Sequence, residues 1–223
     1  MPTSRLTGIS SMATRALLAE LVAAHGQPVA MESVGGVDAA KRVAAGEAFD
    51  VVVLASDAID KLIAAGRVLA GSKVDLVHSG VAVAVKAGAA HPDIASENAV
   101  KRAVLNASTL GYSTGPSGVQ LAKLFERWGI AQEIAPRIVT APPGVPVGAL
   151  VARGQVALGF QQLSELMNLQ GIEVLGPLPP AIQITTTFSA GVCAASTQPE
   201  AARAFLAFLA SPDTTQIKQR HGM

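Results

Sequence analysis

The chain has 223 residues, enough for one large domain or two lobes of about 100 residues each. Half of the residues are hydrophobic but only 4% are aromatic, so Ala, Val, Leu and Gly supply the apolar surface, as in close-packed α/β layers. With 15% charged residues and a net charge of +1, the chain lacks the basic footprint that neutralises a phosphate backbone, which argues against a nucleic-acid partner.

Met1 to Arg5 leads directly into an apolar run, with no signal-peptide core and no cleavage site. As it stands the sequence therefore reads as cytoplasmic, or as periplasmic if this is a mature form given a new start. No apolar stretch approaches the roughly 20 residues that span a bilayer, so no membrane insertion is expected. Leu6 to Ile9 reads as a first strand ending in Ser10-Ser11, and Met12 to Ala24 as a helix with Leu17, Leu18, Leu21 and Val22 on one face. Pro28 to Met31 is a second strand, and Glu32 to Gly36 the loop after it. A helix runs from Asp38 to the stop at Gly46. The run Asp50 to Leu54 has the character of a strand buried on both faces, followed by a helix from Asp57 to Ala65. This β-α-β-α-β-α order, with right-handed crossovers, predicts a doubly wound sheet.

Gly80 to Val85 is read as a further strand, after which a second α/β series begins. It comprises helix Glu97 to Ala107, strand Thr109 to Tyr112, helix Pro116 to Trp128, strand Arg137 to Thr140 and helix Pro146 to Ala152. Strand Val156 to Phe160, helix Leu163 to Leu169 and strand Glu173 to Leu175 follow. Gly176 to Pro180 is too proline-rich to be either element. Gln183 to Ala194 is a long β-type run holding Cys193, the single cysteine, read as a small packing residue. Helices Pro199 to Leu209 and Pro212 to Arg220 finish the chain. Closing helices after a long strand can return to the first lobe. The expected domains are therefore residues 1–79 with 190–223, and 80–189, joined by a two-strand hinge with crossings near 77–85 and 182–194.

Ligands of open α/β sheets bind beyond the carboxyl ends of the strands, so the strand-to-helix loops are the informative ones. Ser10-Ser11 closes the first strand, where an ordinary N-cap is the competing reading. Gly35-Gly36 admits a ligand to the backbone, or is simply a tight turn. In Tyr112 to Gly118, Pro116 suits a first helical turn, and Thr114, Gly115, Ser117 and Gly118 surround the positive end of that helix. Pro142 to Pro146 presents the amides of Gly144 and Val145, and Gln161-Gln162 offers neutral donors. Taken together, these loops predict a site for a small anionic ligand, held by uncharged donors in an inter-lobe cleft. No cofactor is expected. His25, His78, His91 and His221 are scattered, and neither a phosphate-binding Gly-Lys-Ser/Thr ending nor a Gly-x-Ser-x-Gly elbow occurs.

At these loops the sequence resembles the molybdate-binding members of the type 2 periplasmic binding protein family, from Leu6 to Gly222. The resemblance includes the Ser-containing first turn, the segment Ala40 to Asp50 ending AAGEAFD, the strand end at Gly159, and the closing FLAFLASPDTTQIKQRHGM. It implies two doubly wound lobes, an anion ligand and an ABC permease as partner. It places oxyanion contacts on Ser11, Gly35-Gly36, Ser117, Gly144 or Val145, and Gln162. Two positions depart from the family: its second-loop hydroxyls are glycine here, and its tyrosine is Gln162. These changes reshape the pocket and make a carboxylate or phosphorylated metabolite a competitor to molybdate.

The expected function is accordingly anion binding in transport or sensing. Isomerisation of an unsaturated polycarboxylate such as aconitate is the alternative, since a few proteins of this fold do that chemistry. A ligand-sensing regulatory domain is the third reading. An isomerase needs an acid–base group, for which Glu32, His78, Tyr112 and Glu165 are the candidates. Of these, His78 is expected to face solvent or bond a hinge carbonyl, and Glu165 to be a surface charge on a helix.

Overall fold

The computed structural model describes residues 5–142 and 144–223. Met1 to Ser4, at the start read as lacking a leader, and Pro143, in the proline-rich stretch Pro142 to Pro146, lie outside the described residues. The described chain divides into two compact units. One takes the residues up to His78 together with Thr187–Met223, and the other Ser79–Thr186. The chain passes from the first to the second within one strand and returns within another.

In the first unit, strands β1 (Leu6–Ser11), β2 (Val29–Val34) and β3 (Val51–Ala55) alternate with helices α1 (Arg15–His25), α2 (Gly36–Ala44) and α3 (Ser56–Ala64). β1 lies between β2 and β3 and is parallel to both. β9 (Thr185–Val192) adds antiparallel to β3, and the first part of β4 (Val74–Lys86) follows it in strand order. Alternation along β3 sends Val51 and Val53 into a core with Leu17, Leu18 and Leu21 of α1 and with Phe205, Leu206 and Leu209 of α9 (Pro199–Ala210). The intervening Val52 and Leu54 join Ala39, Val43, Ile59 and Leu62 of α2 and α3 on the other face. Helices thus cover both faces, as the β-branched run at Asp50 to Leu54 predicts. Cys193 is buried in this second core, and burial pushes its thiol up to about 12.

Asp50 ties the start of β3 to its surroundings. Its carboxylate accepts from the Thr7 amide at 2.8 Å, the Thr7 hydroxyl at 3.1 Å and the Ser196 hydroxyl at 2.6 Å. The last helix, α10 (Thr215–Arg220), is fastened to α1, where Glu20 accepts from Arg220 and pairs with His221 at 2.8 Å.

The second unit is a mixed sheet. The later part of β4 is antiparallel to β7 (Leu158–Gln162) and to β8 (Ile172–Pro177). β7 is parallel to β5 (Leu110–Tyr112), and β5 is parallel to β6 (Ile138–Thr140). Helices α4 (Glu97–Asn106), α5 (Pro116–Arg127), α6 (Ala131–Ile134), α7 (Val147–Ala152) and α8 (Leu163–Leu166) clothe it. Val81, Val83 and Val85 face Phe125, Phe160 and Leu121, whereas Ala82 and Ala84 face Leu166.

Several element ends differ from expectation, the strand ends for a shared reason. β1 runs on through Ser10 and Ser11, and β2 through Val34, because Ser10 pairs with Ser33 and Ser11 with Val34 in a continuous parallel ladder. β4 begins at Val74 rather than Gly80. β8 continues through Gly176 and Pro177, where Ala82 and Val83 supply a partner strand. α8 stops after four residues rather than reaching Leu169. Ladder partners far away in sequence extend these strands, whatever the local turn chemistry prefers.

Candidate functional site

In the first unit the carboxyl ends of β1 and β2 meet the start of α2. Ser10 is buried, and its Oγ lies 2.8 Å from Ser33 Oγ. Ser11 is 7% exposed and occupies the N-cap position of a short 3-10 turn, Met12–Thr14, but its hydroxyl makes no capping bond. Its Oγ is buried without any hydrogen-bond partner. The Ser11 hydroxyl therefore does not serve as the N-cap that its position suggests. A buried hydroxyl left unpaired costs about 1–3 kcal/mol, so a group awaiting a guest is a better account than a stability device.

The guest would be negative. An added Cβ on Gly36 would stand 3.5 Å from Ser11 Cβ, so the Ser11 side chain lies beside the first residue of α2. No side chain caps that helix, and the first amide bonded back to Gly35 is that of Ala39, at 2.9 Å. Gly36, Val37 and Asp38 precede it in the turn whose amides have no intrahelical acceptor. Such amides, the positive end of a nine-residue helix and a spare hydroxyl together suit an anion. The structure brings Ser10, Ser11, Gly35 and Gly36 together, and Ser33 joins them. Ser33 was concealed in a stretch read as loop; period-two alternation carried past Met31 could have found it.

In the second unit three loops leave one edge, at the carboxyl ends of the parallel strands β5, β6 and β7. After β5, Pro116 opens α5 and Ser113 Oγ accepts the Gly115 amide at 3.3 Å. Only glycine fits at 118, because a Cβ there would fall 1.7 Å from the Ser113 carbonyl oxygen. Ser117 is buried at this helix start, and Thr114 is exposed. After β6, Gly144 is exposed with φ +75°. The Val145 amide, expected to be presented to a ligand, instead donates to the Pro142 carbonyl at 3.0 Å and closes the turn. α7 also begins one residue later than expected, with Pro146 as its N-cap.

β7 ends in two buried glutamines. Gln162 donates from Nε2 to Thr186 Oγ1 at 2.8 Å, and its Oε1 is buried and unpartnered. Gln161 accepts the Gly148 amide at 3.2 Å through Oε1 and donates from Nε2 to Glu165 Oε2 at 2.6 Å. Glu165 is therefore not the surface charge expected from its helix position. It is half-buried, and burial pushes its carboxyl up to about 7, outweighing the Gln161 hydrogen bond that acts the other way.

The other acid–base candidates are differently placed. Glu32 is exposed and paired through both oxygens with Arg42, at 2.6 and 3.0 Å. His78 is exposed, with Nδ1 3.0 Å from the Thr187 hydroxyl rather than a carbonyl. Tyr112 is half-buried, 6.0 Å from the Phe125 ring centre, and burial raises its phenol. Among the described residues no three His, Cys, Asp or Glu side chains gather as a metal site, and no helix is long and apolar enough to cross a membrane.

The family model described as bacterial extracellular solute-binding protein matches residues 6–223. The chain is 42% identical over 183 residues to a protein of a Pseudomonas species named aconitate isomerase, covering 82% of this chain and 70% of that one. Among solved structures, the periplasmic molybdate-binding protein of Azotobacter vinelandii superposes with a TM-score of 0.81 at 19% identity, covering 98% of each chain. The sulfate-binding protein of Mycobacterium tuberculosis does so with a TM-score of 0.78 at 16% identity, covering 98% of this chain and 86% of the other. The fold is that of the type 2 periplasmic binding proteins, as the resemblance implies, and the chain belongs to the bacterial extracellular solute-binding protein family.

Proposed function

We propose that this protein binds a small polycarboxylate through uncharged donors. The observation that carries the reading is the buried, unpartnered hydroxyl of Ser11, whose side chain lies beside the uncapped start of α2. Hydrogen bonds to a charged partner contribute about 1.5–3 kcal/mol each, enough for a few neutral donors to offset much of a carboxylate's dehydration. The relatives that bind molybdate and sulfate support an anion as the guest. Similarity to a protein named aconitate isomerase favours a tricarboxylate over a tetrahedral oxyanion. So do Gly35-Gly36 and Gln162, which stand where the resembled family has hydroxyls and a tyrosine. As a member of a solute-binding family, the protein has an ABC permease as its expected partner.

Calorimetric titration with cis-aconitate, trans-aconitate, citrate, molybdate, tungstate and sulfate tests this reading. Saturable binding of a tricarboxylate, weakened by Ser11→Ala, is the expected result. Binding of molybdate or tungstate alone refutes the carboxylate assignment, and no heat from any of the six refutes anion binding.

A second reading is favoured by the 42% identity to the aconitate isomerase: the bound polycarboxylate is isomerised rather than only carried. Incubating the protein with each aconitate isomer and separating the products by chromatography decides it. Interconversion above the uncatalysed rate supports the enzyme, and its absence at high protein concentration leaves the binding protein.

A further inference from the structure

We infer that the Glu165 carboxylate carries the proton in that isomerisation, held in place by Gln161; this rests on the second reading above. The first support is contrast. Glu32 and Glu47 are committed to Arg42, Glu20 to Arg220 and His221, Glu97 to Arg127 and Trp128, and Glu173 to His91 and the Gly88 amide. Asp50 accepts from two hydroxyls and an amide. Glu126, Glu133 and Asp213 also lack a cationic partner among the described residues, but they are exposed, whereas Glu165 is half-buried without one. Its one hydrogen bond comes from a neutral amide, at 2.6 Å to Oε2.

The second support is how that amide is fixed. Gln161 is 3% exposed, and its other end is locked onto the Gly148 amide at the start of α7. Both ends of a buried amide are thereby used to orient one carboxyl. Oε1 of Glu165 has no hydrogen bond within the chain among the described residues. The third support is place. Glu165 follows β7 at the carboxyl edge of the sheet, three residues beyond Gln162, whose Oε1 is buried and unpartnered.

The step balances without an oxidant or reductant. The methylene carbon of the substrate lies between a carboxylate and the double bond, which acidifies its hydrogen. Glu165 takes that proton, and the C–H electron pair becomes the new carbon–carbon double bond. The old π pair moves onto the far alkene carbon, with its charge shared by the attached carboxylate. The protonated Glu165 returns the proton to that carbon, forming the new C–H bond and regenerating its own carboxylate. A group that titrates near neutrality can do both halves. Charged groups on neighbouring elements do not oppose this: Arg153, at the end of α7, is exposed, and Glu173 of β8 is engaged with Gly88 and His91.

The test compares wild type with Glu165→Gln, Glu165→Asp and Gln161→Leu, using cis- and trans-aconitate. Interconversion and uptake of solvent deuterium into the substrate are followed by proton NMR, and binding by calorimetry. Glu165→Gln is expected to lower turnover and deuterium uptake by about 100-fold or more, with the tricarboxylate Kd changed no more than about threefold. Gln161→Leu is expected to move the acidic limb of kcat/KM to higher pH, since its hydrogen bond lowers the Glu165 pKa. Should Glu165→Gln not fold, Glu165→Asp carries the test, with kcat reduced and a titrating limb retained.

Wild-type turnover with Glu165→Gln equally active, or an unmoved limb in Gln161→Leu, overturns the assignment and leaves the isomerase reading intact. A wild type that binds tricarboxylate without converting it ends both, and leaves anion binding standing.

Discussion

Replacing Glu165 by Gln should stabilise the protein increasingly as pH rises. A glutamine preserves an oxygen to accept from Gln161 Nε2 and removes the ionisation. In the folded protein the Glu165 carboxyl sits at about 7, against 4.5 for the free side chain. Between these values the unfolded chain has lost the proton that the folded chain keeps, so wild-type stability falls as pH rises through this window. At about 1.4 kcal/mol per pH unit, the loss between pH 5 and pH 8 is on the order of 2–3 kcal/mol. Urea unfolding of both proteins at half-unit pH steps over that range measures it. The stability difference, variant minus wild type, should grow by about 2–3 kcal/mol from pH 5 to pH 8 and level off above pH 8. A difference flat to within about 0.5 kcal/mol would show the carboxyl ionising in the ordinary range, and would remove the account of its burial.

Ser11→Ala should leave the ligand-free protein as stable or up to about 1–2 kcal/mol more stable in chemical denaturation, because it deletes an unsatisfied buried hydroxyl. The same change should weaken tricarboxylate binding about tenfold or more, and a substantial loss of stability would refute the assignment of Ser11 to a guest. Gly118→Ala forces the Ser113 carbonyl to move and should cost about 2 kcal/mol or more, read as a lowered Tm; an unchanged Tm would contradict the close approach. Cys193 should resist a thiol reagent at pH 8 in the folded protein and react fully in denaturant, since its thiol is buried and pushed up to about 12. Rapid native labelling would place it outside the core.

The order of elements was legible because each is written in local chemistry. Val51 to Leu54 announces a strand covered on both faces, and the two cores that divide its side chains bear this out. Pro116 marks a helix start. The hydroxyl and glycine loops were legible as places, since strand-to-helix turns of an open sheet converge on one edge. Their individual roles were less so. Val145 carries a donor like any residue, and only the turn to Pro142 shows that donor to be spent. Ser10 and Ser11 look alike in sequence, yet one hydroxyl is paired with Ser33 and the other with nothing.

Glu165 shows most clearly where local reading ends. In the first turn of a short helix, it has the pattern of a solvated charge. Gln161 and the surrounding burial, which includes α7 and β8 packed near that turn, give the carboxyl a different environment. By itself the sequence determined which segments are strands and helices and where small polar loops leave them, because periodicity and turn chemistry act over a few residues. Only the tertiary structure decided which polar atoms are buried, paired or left open. Desolvation and hydrogen bonding depend on which neighbours packing brings together, whatever their separation along the chain.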